Sequence, residues 1–265
     1  MTRRGVLRVL IRLCPLESNP SMLASLEGFD SRGQSPIKTL SSPLLVINFK
    51  TYLEATGKKS VELAKIAGKV SQDKGIQIAV SPQFSDIKQV AESAEVLVFS
   101  QHIDPVKPGA YTGHVLAEAV KSAGAAGTLL NHSERRIRIS EIEEAIILAQ
   151  GASLLTLVCA NSSGVSAATA SLNPDMIAIE PPELIGTGVA VSKAQPELIT
   201  STVKRIRSVN PLVLILCGAG VSSPEDVAKA LLLGSQGVLV SSSVVKSRDP
   251  EKLLAEMADA ALAPS

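Results

Sequence analysis

Three side chains able to do proton chemistry sit at the ends of short apolar runs: Lys50 in "NFK" (48–50), His132 in "LLNHSERR" (129–136) and Glu180 in "IAIEPPELIGTG" (177–188). Asn48 lies two residues before Lys50, and residues two apart in an extended chain share a face. Two later runs end in "CGAGVSS" (217–223) and "SSS" (241–243), small residues that let a bound anion approach backbone N–H groups. A carboxylate held near a carbon-bound proton and shielded from water can remove it. The oxyanion that develops needs donors aimed at it, and an imidazole and an ammonium supply them. The set suits proton transfer beside a carbonyl, in an anionic sugar phosphate gripped by the glycine- and serine-rich loops.

Taken singly, each of these residues has a plainer reading. A lone lysine is a solvated charge, a lone glutamate a salt-bridge partner, a Gly-rich turn only a turn, and His132 a core residue or a metal ligand. Their joint occurrence at run ends is what favours chemistry. With three histidines in the chain and no HxH or HExxH spacing, no metal site is expected.

Such residues need a scaffold that brings the ends of distant runs to one place. From Leu44 onward, eight short apolar runs alternate with segments carrying charge at helical spacing. The runs are "LLVIN" (44–48), "IQIAV" (76–80), "VLVF" (96–99), "GTLLN" (127–131), "LLTLV" (154–158), "MIAI" (176–179), "LVLIL" (212–216) and "GVLV" (237–240). They are continuous rather than alternating, as parallel strands covered on both faces must be. Between them, "SSPEDVAKALLLG" offers Ser223 as N-cap, Pro224 at the first helical position and Gly234 as terminator. Asp249 and Pro250 repeat the device, and "TGKKSVELAKIAGKV" and "QPELITSTVKRIRSV" space apolar residues for one helical face. Eight strand–helix units in about 220 residues predict an α/β fold, a single-domain (β/α)8 barrel, whose chemistry sits on the C-terminal rim of the strands. An open doubly wound sheet is the structural alternative, because periodicity alone does not show closure.

Composition agrees. Hydrophobic residues make up 45% of the 265 and aromatics 2%, so the core must be built from Val, Ile, Leu and Ala. A net charge of +1 with scattered basic residues gives no footprint for nucleic acid or a membrane surface, and no apolar run approaches the length of a membrane span. Cys14, Cys159 and Cys217 form no close pair and read as isolated reduced thiols of an intracellular protein. Residues 1–43 stand apart. Their start, "MTRRGVLRVLIRLCPLE", has the look of a leader, but Arg8 and Arg12 interrupt it and no small-residue cleavage site follows. A stretch rich in Ser, Pro and Gly comes next. This part is expected to be a poorly ordered extension with Met22 as an alternative start, and 44–265 the barrel domain.

The residues also resemble a known family. "NFK" (48–50), "TLLNHSERR" (128–136), "EPPELIGTG" (180–188), "CGAGVSS" (217–223) and "GVLV" (237–240) are similar, in order, to triosephosphate isomerase in its short, archaeal-type form. The resemblance runs from about Pro43 to the C-terminus. It implies a triosephosphate isomerase (TIM) barrel that interconverts dihydroxyacetone phosphate and D-glyceraldehyde 3-phosphate through an enediolate, in glycolysis and gluconeogenesis. It makes Glu180 the base, His132 the electrophile that polarises the carbonyl, Lys50 the cation on the substrate and Asn48 a positioning group. It assigns phosphate contacts to Ile185, Gly186, Gly220, Ser241 and Ser242. Residues 181–188 become a closing lid that excludes water. The resemblance further implies that no bound cofactor is required, a small-molecule triose phosphate as the partner, a cytoplasmic location, and a homotetramer rather than a dimer. Ser243 departs from the family's usual glycine, and Tyr111 and His114 depart in "PGAYTGHV". Two other readings stand beside this one: a different phosphate-binding barrel enzyme, and a non-catalytic phosphosugar-binding or assembly protein. Ser133 is expected to cap a short helix whose positive end favours a neutral His132.

Overall fold

Strands built from Leu, Ile, Val and Ala with hardly a polar interruption can be satisfied only inside a structure that covers both their faces. The computed structural model, which describes residues 40–181 and 196–264, shows this arrangement. The eight strands are β1 (Leu44–Asn48), β2 (Gln77–Ser81), β3 (Leu97–Ser100), β4 (Gly127–Leu130), β5 (Leu155–Ala160), β6 (Met176–Ile179), β7 (Leu214–Cys217) and β8 (Gly237–Val240). They pair in parallel in chain order, and β8 returns to β1, with Leu44 opposite both Gln77 and Gly237. Closure settles the choice against the open doubly wound sheet. Pro43–Ser265 forms one compact unit.

Among the described residues the helices are α1 (Lys58–Lys74), α2 (Ile87–Ser93), α3 (Ala117–Ser122), α4 (Ile139–Gly151), α5 (Ser163–Ala170), α6 (Pro196–Val209), α7 (Pro224–Leu232), α8 (Ser242–Val245) and α9 (Pro250–Leu262). Ser223 caps α7 as expected, its Oγ accepting the Asp226 N–H, and Asp249 does the same for α9 through the Lys252 N–H. The core follows from alternation along the strands. Leu45, Ile47 and Phe49 join one apolar cluster with Leu63 and Ala64 of α1 and with Leu254 and Met257 of α9. The intervening Leu44, Val46 and Asn48 therefore face the barrel interior. Asn48 is the last of that series, so its amide lies at the C-terminal mouth.

Candidate active site

The rim residues are brought together by strand order. β8, β1 and β2 are neighbours on one side and β4, β5 and β6 on the other, so Asn48, His132 and Glu180 converge on one mouth. Glu180 is the first residue after β6, and its backbone N–H donates to Ala160 O, which holds it to β5. Its carboxylate is nearly inaccessible, and Oε1 lies 3.4 Å from His132 Nε2 while Oε2 accepts the Ser133 N–H at 3.4 Å. Burial pushes the Glu180 pKa up to about 7, against hydrogen bonds from the Ser133 amide and the Cys159 thiol and the charge of Lys50, all of which lower it; Glu134 adds a further push upward.

His132 is held by its own turn. The Glu134 N–H donates to Nδ1 at 3.2 Å, and the Arg135 N–H donates to the His132 carbonyl at 2.8 Å. A nitrogen that accepts a backbone N–H carries no proton, so the ring proton sits on Nε2, the nitrogen facing Glu180. Burial, then the charge of Lys50, lowers the imidazole pKa to about 4, outweighing the opposite pull of Glu134. The ring is a neutral hydrogen-bond donor near neutral pH. The expected route to that state differs: no helix starts at Ser133, whose Oγ is buried with no hydrogen-bond partner, and the next helix, α4, begins only at Ile139. A two-residue turn cannot align peptide dipoles, so burial does the work instead.

Lys50 is placed by strain rather than by an extended chain. β1 ends at Asn48, and Lys50 adopts a left-handed backbone (φ 49°), a conformation of order 1–2 kcal/mol unfavourable for such a residue. Asn48 Oδ1 accepts the Lys50 N–H at 2.9 Å and Gln101 Nε2 donates to the Lys50 carbonyl at 2.7 Å. Between them they hold the turn. The ammonium reaches Glu134 Oε1 at 2.8 Å. Asn48, Lys50, Gln101, His132 and Glu134 all line one cleft of about 400 Å³.

The remaining expected residues lie on the same rim or beyond the described chain. Gly220, with a left-handed backbone (φ 70°), follows β7, and Ser241 and Ser242 follow β8, where Ser242 opens α8. Ser243 lies within α8, a conformation any L residue adopts, and its Oγ donates to Val221 O at 3.3 Å. Ile185, Gly186 and the rest of the lid from 182 onward lie outside the described residues. Three residues join the site unannounced. Gln101 directly follows β3 and was open to the same strand-end reasoning as His132. Cys159, read as an isolated thiol, touches Glu180. Gly218 packs so close that a Cβ there would lie 2.8 Å from Glu180 Cγ. Among the described residues no cluster of His, Cys, Asp or Glu is arranged to hold a metal ion.

The family model described as "Triosephosphate isomerase" matches residues 43–260. A triosephosphate isomerase of Methanocaldococcus jannaschii is 50% identical over 214 residues, 81% of this chain and 98% of its own length. That of Methanosarcina mazei is 49% identical over 218 residues, 82% of this chain and 98% of its own. The crystal structure of triosephosphate isomerase from Bartonella henselae has the same fold, with a TM-score of 0.66 at 18% identity, covering 83% of this chain and 98% of that one.

Proposed function

This chain belongs to the triosephosphate isomerase family, and on that footing we propose that Glu180, His132 and Lys50 carry its reaction, with Asn48 holding Lys50 in place. The protein is an aldose–ketose isomerase that interconverts dihydroxyacetone phosphate and D-glyceraldehyde 3-phosphate. In the proposed sequence the Glu180 carboxylate takes a proton from the substrate carbon beside the carbonyl. His132 Nε2–H donates to the oxygen that becomes negative, and the Lys50 ammonium stabilises charge on the same substrate. Glu180 then returns the proton to the neighbouring carbon, while the proton of the adjacent hydroxyl passes to the former carbonyl oxygen by way of His132 Nε2, so that Glu180 and His132 end as they began. The observation that carries this reading is the Nδ1 contact with the Glu134 N–H, which leaves the proton on Nε2 beside Glu180. Neutral imidazole in this role is the state described for this same enzyme.

Gly220, Ser241 and Ser242, with Ile185 and Gly186 of the lid, are the proposed phosphate contacts, mainly through backbone N–H groups. No cofactor takes part in this scheme. Residues 1–43 are proposed to be an extension outside the isomerase domain; the family match beginning at 43 supports this. The protein is proposed to be cytoplasmic; among the described residues no helix is long and apolar enough to cross a membrane. A homotetramer is the proposed assembly, with Ile139 and Ile147 on α4 and Tyr111, large side chains left half exposed or more, as candidate contacts between copies. Light scattering should give four times the 27.6 kDa chain mass, and a dimer mass would refute it. The function itself is tested by incubating the full-length protein with glyceraldehyde 3-phosphate in a coupled assay for dihydroxyacetone phosphate. Well-folded protein without turnover would overturn the reading.

A further inference from the structure

Behind the catalytic turn lies a second polar cluster that the reaction above does not use. Asp104, largely buried, follows β3. Its Oδ1 lies 3.1 Å from His102 Nε2 and 3.1 Å from an Arg135 guanidinium nitrogen, and its Oδ2 accepts the Val115 N–H at 2.7 Å. Its own N–H donates to the Val115 carbonyl at 2.9 Å. One carboxylate thus closes the loop 105–114 at its base and reaches across to the turn that carries His132. Arg135 completes the chain, because its backbone N–H is bonded to the His132 carbonyl.

From this connectivity we propose that Asp104 is a positioning residue for His132, acting through Arg135 and resting on the isomerase reading of the site. The turn 132–135 has no helix to stiffen it, and its internal bonds are the two backbone N–H contacts already described. Its middle is held to Glu180 by the Ser133 N–H at 3.4 Å, so a rotation of the turn about that point would move Nε2–H relative to the substrate oxygen. Asp104 anchors the outer corner of the turn at Arg135, while the Glu134–Lys50 ion pair anchors the inner one. The Arg135 side chain is half exposed, so its ion pair alone is a weak tether. The tether gains stiffness because Asp104 is itself fixed by Val115 and His102. The Val115 amide, His102 and Arg135 together hold the Asp104 carboxyl below the usual range despite the upward push of its burial, which keeps it ionised and an acceptor for all three.

Full-length Asp104→Ala, Arg135→Ala and the double variant are compared with wild type for kcat, KM for glyceraldehyde 3-phosphate, the inhibition constant of inorganic phosphate, Tm and solution mass. Misplacing a catalytic donor by a fraction of an ångström up to 1 Å costs about ten- to a hundredfold, so Asp104→Ala should lower kcat by that factor. KM and the phosphate inhibition constant should stay within about twofold, since the phosphate loops lie after other strands. Arg135→Ala should lower kcat in the same direction, and the double variant should be no slower than Asp104→Ala, because both changes break one chain. An unchanged kcat in folded Asp104→Ala, or losses that multiply in the double variant, would overturn the proposal. So would a change confined to Tm, mass or KM. Should Asp104→Ala fail to fold, Arg135→Ala leaves the Val115 closure intact and decides the matter alone: full kcat there would overturn it. His132 is one of three histidines, so its imidazole NMR signals are readily assigned. They should move in both single variants without substrate, and unmoved signals would count against positioning. If wild type shows no turnover, the isomerase reading fails, while the NMR comparison still tests the tether.

Discussion

Replacing Glu180 by Gln should make the protein more stable at alkaline pH while destroying its activity. Burial raises the carboxyl pKa from 4.5 to about 7 in the folded chain. Each pKa unit corresponds to about 1.4 kcal/mol, so keeping this group ionised in its pocket costs the fold about 3 kcal/mol. The sign follows from proton counts. Between pH 4.5 and about 7 the folded state holds a proton that the unfolded chain has released, so stability falls as pH rises through that window. The penalty is complete above about pH 7 and absent below 4.5. Glutamine has the shape of the protonated acid and never ionises. At about pH 8 the variant should therefore be more stable by about 3 kcal/mol, and at about pH 5 by less than about 1 kcal/mol. In a chain of this size that gap is a Tm gain of about 6–12 °C at the higher pH, shrinking to about 2 °C at the lower. Thermal unfolding of both proteins, at one concentration and followed by circular dichroism, reads it directly. A Tm difference independent of pH, or a variant less stable than wild type at pH 8, would refute the claim that Glu180 is a desolvated carboxylate.

The same numbers set the activity profile: kcat/KM should rise with pH through about 7 as free Glu180 loses its proton, and a flat profile from pH 5 to 9 would contradict this. Lys50 lowers the Glu180 pKa, so Lys50→Met should move that rise to higher pH besides cutting kcat/KM by orders of magnitude; a limb that stays in place would mean the ammonium does not act on Glu180. Gly218→Ala would set a Cβ 2.8 Å from Glu180 Cγ and must displace the base, lowering kcat about ten- to a hundredfold with little loss of fold, and wild-type kcat would show that the pocket gives way at no cost.

The barrel was legible because parallel strands must be apolar on both faces, and runs such as "LLVIN" and "MIAI" coincide with β1 and β6 to the residue. Capping chemistry was equally readable: Ser223 and Asp249 are where short polar side chains before a proline must be. Closure was not readable, since pairing of β8 with β1 joins segments nearly 200 residues apart. At the site, Lys50, His132 and Glu180 were visible as titratable groups ending apolar runs. The local conformations were not. A left-handed Lys50 is held by Gln101, just after β3, and the neutral state of His132 depends on burial and a turn amide where a helix end had been expected. Gly218 and Cys159 escaped notice because their contribution is contact with Glu180, and a contact across strands leaves no mark in spacing.

The central claim is that Glu180 moves the proton, and shortening its side chain tests it most directly. In Glu180→Asp the carboxylate retreats by about 1 Å from the substrate carbon, which should cost at least two orders of magnitude in kcat. With glyceraldehyde 3-phosphate as substrate and circular dichroism confirming an intact barrel, the account predicts that drop with little change in KM. A Glu180→Asp protein that turns over at the wild-type rate would place the base elsewhere.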